Sequence, residues 1–203
     1  MNHQPSIPFI VSLIFMLSCA PAAEFNPEIV ESGIILQEEW GGERIGFDIE
    51  VEEHELRYIT LHHGGVTFAD TADAPAYLRN LQNWSRSDRD WIDLPYHYLI
   101  DPQGRIYEGR SVLIPGDTNT DYDPTGHALI CVLGNFELAE PNMAQLDAVT
   151  SLMALMAERF DLTTDVIGGH KDYATNTVCP GENLYPYLEN GYFRDRLRGM
   201  GFE

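Results

Sequence analysis

The sequence predicts an α/β fold, a single domain with one central mixed β-sheet flanked by helices. Three observations carry this expectation. Strand-like and helix-like segments interleave along the chain instead of separating into blocks. Ala128–Leu133 is an unbroken apolar run, as expected of a central strand covered on both faces. Met143–Phe160 holds a helix-period stripe of Leu146, Val149, Met153, Met156 and Phe160.

The remaining elements follow in order. Arg57–His62 reads as a strand rich in β-branched and aromatic residues. Asp73 or Ala74 through Trp84 reads as a helix, with Tyr77, Leu78, Leu81 and Trp84 at helical spacing. Tyr96–Ile100 and Arg105–Glu108 form a hairpin around Asp101-Pro102-Gln103-Gly104, where Pro and Gly supply turn chemistry. Pro141-Asn142 starts the helix at Met143. Asp165–Ile167 reads as a short strand that delivers His170, and a closing helix is expected after Pro180-Gly181. No internal repeat, low-complexity tract or long linker interrupts this pattern.

Composition bounds the function. The 203 residues suffice for one self-supporting core once a leader is removed, and 44% hydrophobic residues argue against disorder. The formal net charge of -20 makes nucleic acid an unsuitable partner, because phosphate binding needs clustered Lys and Arg. The acidity is read as a solubilising surface.

Residues 1–23 read as a signal peptide. The apolar run Ile7–Leu17 is shorter than the roughly 20 residues of a spanning helix. Met16-Leu17-Ser18-Cys19-Ala20 resembles a bacterial lipobox, which makes Cys19 the lipidated first residue of the mature protein. No Lys or Arg precedes the run, and cleavage at Ala22 or Ala23 is the rival reading. Residues 24–203 form the functional domain, expected to be exported, periplasm-facing, membrane-anchored through lipid and monomeric. Three cysteines give such a domain no disulfide framework. Cys131 sits in the apolar run and reads as a small core hydrophobe.

The chemistry is concentrated in two stretches, Leu61-His62-His63 and Gly168-Gly169-His170 through Cys179-Pro180-Gly181. Together they offer two imidazoles and a thiol, a zinc site with its fourth position open. Structural zinc sites are closed by four protein ligands, and hydrolytic ones keep three. His62 and His63 are neighbours, so in a strand they point to opposite faces and only one can meet the metal. His54, His97 and His127 read as surface or satisfied core residues.

Longer motifs place these ligands in context. Glu38-Glu39-Trp40-Gly41-Gly42, Tyr58–His63, Leu78–Trp84, Asp93-Leu94-Pro95-Tyr96–Ile100, Gly104–Arg110, Leu133-Gly134-Asn135-Phe136, Gly169-His170-Lys171-Asp172 and Cys179-Pro180-Gly181 together resemble the peptidoglycan recognition protein family. That family shares a zinc amidase fold with the T7-lysozyme-like N-acetylmuramoyl-L-alanine amidases (amidase type 2). The resemblance runs from Ile34 to Tyr187. It implies that His62, His170 and Cys179 bind Zn2+ in a surface groove, that Tyr96 is the catalytic tyrosine, and that Thr177 helps polarise the substrate carbonyl. It further implies peptidoglycan or muropeptides as partners, with hydrolysis of the amide between N-acetylmuramic acid and L-alanine. Members without amidase activity commonly carry Ser in place of the Cys ligand, and this chain keeps Cys179.

The chain also departs from the family. Gly64-Gly65 follows the His pair where Thr or Ser is usual, and the loop from His170 to Cys179 is one residue longer. Pro115-Gly116-Asp117 lacks the His that often follows the Gly. The Glu and Lys of the related cytosolic muropeptide amidases are missing from the matching places, which aligns the chain with the recognition-protein and phage branch. Two rival functions are a non-catalytic peptidoglycan-binding module and an exported zinc peptidase.

Overall fold

A computed structural model describes residues 27–46 and 49–203; the leader and Cys19 lie outside the described residues. Helix α1 (Pro27–Ser32) leads into a two-residue strand, β1 (Ile34–Ile35). There follow β2 (Tyr58–His63), α2 (Ala74–Asp88), β3 (Tyr98–Ile100), β4 (Ile106–Glu108), β5 (His127–Val132), α3 (Met143–Phe160), β6 (Ile167–Gly169), α4 (Pro186–Glu189) and α5 (Tyr192–Gly199). The six strands make one sheet in the order β1-β4-β3-β5-β2-β6. Only β3 and β4 pair antiparallel, so the sheet is mixed, as the sequence predicts. No helix among the described residues is long and apolar enough to cross a membrane.

Capping sets the helix boundaries. Asp73 caps α2 by accepting the Ala76 N–H at 3.0 Å. α3 opens with a reciprocal capping box, in which Asn142 Oδ1 accepts the Gln145 N–H at 3.0 Å and Gln145 Oε1 accepts the Asn142 N–H at 3.2 Å. It closes at Asp161, which takes a left-handed conformation (φ 53°) and donates its N–H to Ala157.

Side-chain alternation divides the core between the two sheet faces. Ile59, Leu61, Ala128, Ile130 and Val132 pack with Leu146, Val149, Met153 and Met156 of α3, and with Leu188, Phe193 and Leu197 of the C-terminal helices. Leu99, Tyr107, Cys131 and Leu133 face the opposite way and pack with Trp40, Ala74 and Leu78. His62 stands beside Cys131 in the β2–β5 register.

Two expectations need correction. Thr164–Val166 is a 3-10 turn, and the strand is Ile167–Gly169, paired with Ile59–Leu61 of β2. Two glycines in that strand carry no side-chain pattern, which hid it. The backbone is nonetheless committed there, because a Cβ on Gly169 would come within 2.9 Å of Pro180 and 3.0 Å of Leu188. The closing segment is two short helices divided at Gly191 (φ 81°), a residue suited to that left-handed turn.

Candidate metal centre

Three parallel strands end on one side of the sheet: β2 at His63, β5 at Val132 and β6 at Gly169. The carboxyl ends of parallel strands are where open α/β sheets gather their ligands. β2 carries His62 to this edge, and His170 begins the turn directly after β6. The loop that follows returns on itself, with the Lys171 N–H donating to the Cys179 carbonyl at 2.9 Å. The Gly181 N–H donates to Val178 O at 2.9 Å, which turns the chain just past the thiol.

His62, His170 and Cys179 are brought together as the sequence predicts. All three are buried, and their donor atoms lie within 4.8 Å of one another. His62 Nδ1 is 3.7 Å from Cys179 Sγ. That matches the separation of roughly 3.6 Å between a nitrogen and a sulfur on one tetrahedral zinc. The other nitrogen of His62, Nε2, is buried with no hydrogen-bond partner among the described residues. Two imidazoles and one thiol at this spacing fit a zinc ion. His63 faces away: its Nδ1 accepts the Phe136 N–H at 3.2 Å, while its own backbone N–H reaches Cys179 Sγ at 3.3 Å.

Electrostatics suit the same purpose. Burial, reinforced by the neighbouring His170, holds the His62 pKa well below 6.5. Burial likewise lowers His170 to about 4. Both rings are therefore neutral at pH 7, with lone pairs available. Burial pushes the Cys179 thiol up to about 12 against the opposing His63 N–H, so the thiolate needs a cation to form.

The three residues line a groove of about 430 Å³ together with Tyr77, Leu81, Trp84, Trp91 and Tyr96. The Tyr96 ring centroid is 5.3 Å from that of His62, and burial raises its phenol well above 10. Thr177 also lines the groove, with its Oγ1 accepting the Cys179 N–H at 3.1 Å.

Among the described residues, His54, His97 and His127 are satisfied by backbone or hydroxyl groups. His97 Nδ1 accepts the Leu129 N–H at 2.8 Å and its Nε2 meets Ile114 O at 2.9 Å. His127 Nδ1 meets Thr60 Oγ1 at 2.8 Å, and His54 Nδ1 accepts the Gly126 N–H at 2.7 Å. Cys131 is fully buried in the sheet. Sequence reasoning missed Thr118, Thr120 and Tyr122, which crowd around His170. The one signal for them is the alternation of hydroxyl or aromatic residues with Asp and Asn from Asp117 to Asp123.

Comparison with known proteins agrees with this architecture. The family model described as N-acetylmuramoyl-L-alanine amidase matches residues 52–182. Peptidoglycan-recognition protein SD of Drosophila simulans is 32% identical over 163 residues, covering 78% of this chain and 86% of that protein. Peptidoglycan recognition protein 1 of Mus musculus is 30% identical over 140 residues, covering 68% and 76%. Among solved structures, Drosophila PGRP-SD superposes with a TM-score of 0.67 at 31% identity, covering 77% of this chain and 92% of that one. Human PGRP-IβC, solved in complex with a glycosamyl muramyl pentapeptide, gives 0.68 at 25% identity, covering 77% and 94%. The chain belongs to the peptidoglycan recognition protein and type 2 amidase family.

Proposed function

We propose that this protein is an exported zinc-dependent N-acetylmuramoyl-L-alanine amidase, cutting peptidoglycan between N-acetylmuramic acid and L-alanine. The observation that carries this reading is the convergence of His62, His170 and Cys179 within 4.8 Å in the groove. Three donors with room beside them are the ligand set of a hydrolytic zinc site. Zinc held there would polarise a carbonyl and lower the pKa of a water to roughly 7.

The chain's own residues have definable tasks. Tyr96 keeps its proton at neutral pH, since burial raises its pKa well above 10, and so serves as a hydrogen-bond donor to an oxygen gaining charge. Thr177 Oγ1 already accepts the Cys179 N–H, which leaves the hydroxyl proton to donate into the groove. Leu81, Trp84 and Trp91 offer apolar surface to a sugar ring or the alanine methyl and exclude water around the amide. Export, and a lipid anchor at Cys19, complete the proposal and rest on the leader sequence.

Binding without hydrolysis is the rival, favoured by the relatives named as recognition proteins. Muropeptide digests analysed by mass spectrometry separate the two. The amidase reading expects free stem peptide and peptide-free glycan, lost with chelator and regained with zinc. Intact muropeptide, or cleavage within the stem, contradicts it.

A further inference from the structure

Between Gly116 and Pro124 the chain reads Asp117-Thr118-Asn119-Thr120-Asp121-Tyr122-Asp123, and alternate residues have different partners. The acidic and amide side chains tie the segment down. Asp117 pairs with Arg110, and Asn119 Oδ1 accepts from Arg89. Asp121 Oδ2 accepts the Thr175 hydroxyl at 3.1 Å, and Asp123 Oδ1 accepts the Thr125 N–H at 2.9 Å.

The residues between them converge on one imidazole. Thr120 Oγ1 is 2.7 Å from His170 Nε2, and Thr118 Oγ1 is 3.5 Å from the same atom. The two hydroxyl oxygens are 2.7 Å apart, and the Tyr122 ring centroid is 5.1 Å from that of His170.

A histidine ligand presents one nitrogen to the metal, and the hydrogen bond made by the other decides which one. The Thr120 hydroxyl has two neighbours. Donating its proton to Thr118 Oγ1 leaves its lone pairs for the Nε2–H of His170. In that arrangement Thr118 Oγ1 accepts both the Thr120 hydroxyl and the Thr120 N–H, the latter at 3.2 Å, and Nδ1 of His170 keeps a free lone pair on the side away from the threonines. We propose that Thr120, backed by Thr118, is a positioning residue that holds His170 as the Nε2–H tautomer, with Nδ1 as the metal-binding atom. This rests on the zinc reading above.

A hydroxyl in this role has a chemical consequence. Metal-bound histidines often donate to a carboxylate, which adds negative charge around the ion. One thiolate already reduces a zinc site to a net charge near +1, and a neutral Thr120 orients the ring without reducing it further. Asp117, Asn119, Asp121 and Asp123 are bonded to Arg110, Arg89, Thr175 and Thr125, which leaves the contacts at His170 Nε2 to the two threonines.

The test compares full-length wild type, Thr120→Val and Thr120→Ser. Valine keeps the shape and removes the hydroxyl, and serine restores it. Zinc affinity is read by chelator competition, and the His170 tautomer of metal-free protein by long-range 1H–15N NMR. We expect Thr120→Val to weaken zinc about 10–100-fold, the usual cost of losing such a partner. Thr120→Ser should recover wild-type affinity to within about 3-fold, and both wild type and Thr120→Ser should show Nε2–H at His170. Unchanged affinity in Thr120→Val, an equal loss in Thr120→Ser, or an Nδ1–H ring in wild type overturns the inference and leaves the amidase reading standing. A wild-type protein that takes up no zinc overturns both.

Discussion

His62 Nδ1 and Cys179 Sγ stand 3.7 Å apart although 117 residues separate them in the chain. The sheet explains the proximity. β6 lies beside β2 at the sheet edge, and the loop leaving β6 brings Cys179 to the end of β2, where the His63 N–H meets its sulfur at 3.3 Å. A backbone donor from the very strand that carries one imidazole thus fixes the thiol beside it.

Tyr96 is predicted to act on turnover and not on the metal. Its ring packs beside His62, with centroids 5.3 Å apart, and burial keeps the phenol protonated, a hydrogen-bond donor. Tyr96→Phe should keep full zinc content and lose about 10²–10³-fold in turnover, the usual loss for one oxyanion donor. Metal analysis and steady-state rates on muropeptide check this. Wild-type turnover would remove Tyr96 from the mechanism.

Gly181 should prove essential to the shape of the Cys179 loop. Its φ is 102°, and a Cβ there would lie 2.6 Å from the Phe136 backbone and 2.9 Å from His63 Nδ1. Gly181→Ala should destabilise the fold by about 2–4 kcal/mol, through the left-handed backbone and overpacking together. Urea unfolding measures it, and zinc content should fall in parallel. A neutral substitution would mean that the loop relaxes freely.

His97 gives a pH-dependent signature away from the metal donors. Burial lowers its pKa to about 3, below the 6.5 of an exposed imidazole, so the unfolded chain takes up the proton first. Its contribution to stability is complete above pH 6.5 and drains away as pH falls toward 3. His97→Asn keeps an acceptor for the Leu129 N–H but does not titrate. Wild type should therefore lose about 2 kcal/mol relative to this variant between pH 7.5 and pH 5. Urea unfolding at both pH values tests it, and a constant or widening difference contradicts it.

Much of this was legible in the sequence, for physical reasons. Pro141-Asn142 announces the start of α3 because Pro and Asn suit the first positions of a helix, and Asn142 is the residue that caps it. β5 is legible because burial on both faces demands an unbroken apolar run. The metal donors stand out because His and Cys at strand ends and in the loops just after them are chemically distinctive. β6 was misplaced because Gly168 and Gly169 carry no pattern, and β1 is too short to display one. The contacts of Thr118 and Thr120 with His170 were illegible, since hydroxyl residues in a polar loop read as solvated turn.

Cys19 is testable in cells. Cys19→Ser should move the protein from the membrane fraction to the soluble fraction, with the amidase activity of the purified domain unchanged. Fractionation and immunoblotting read the outcome. Continued membrane association of the variant would contradict lipidation at this residue.

The central claim is tested most directly by Cys179→Ser, with zinc content, muropeptide affinity and amide hydrolysis measured on the same preparations as wild type. Serine is close in size to cysteine, and its hydroxyl is far too weakly acidic to replace the thiolate. The account predicts a folded protein that has lost zinc and hydrolysis but still binds muropeptide along the groove. Wild-type turnover in Cys179→Ser would contradict it and show that the protein does not hydrolyse its substrate at this site.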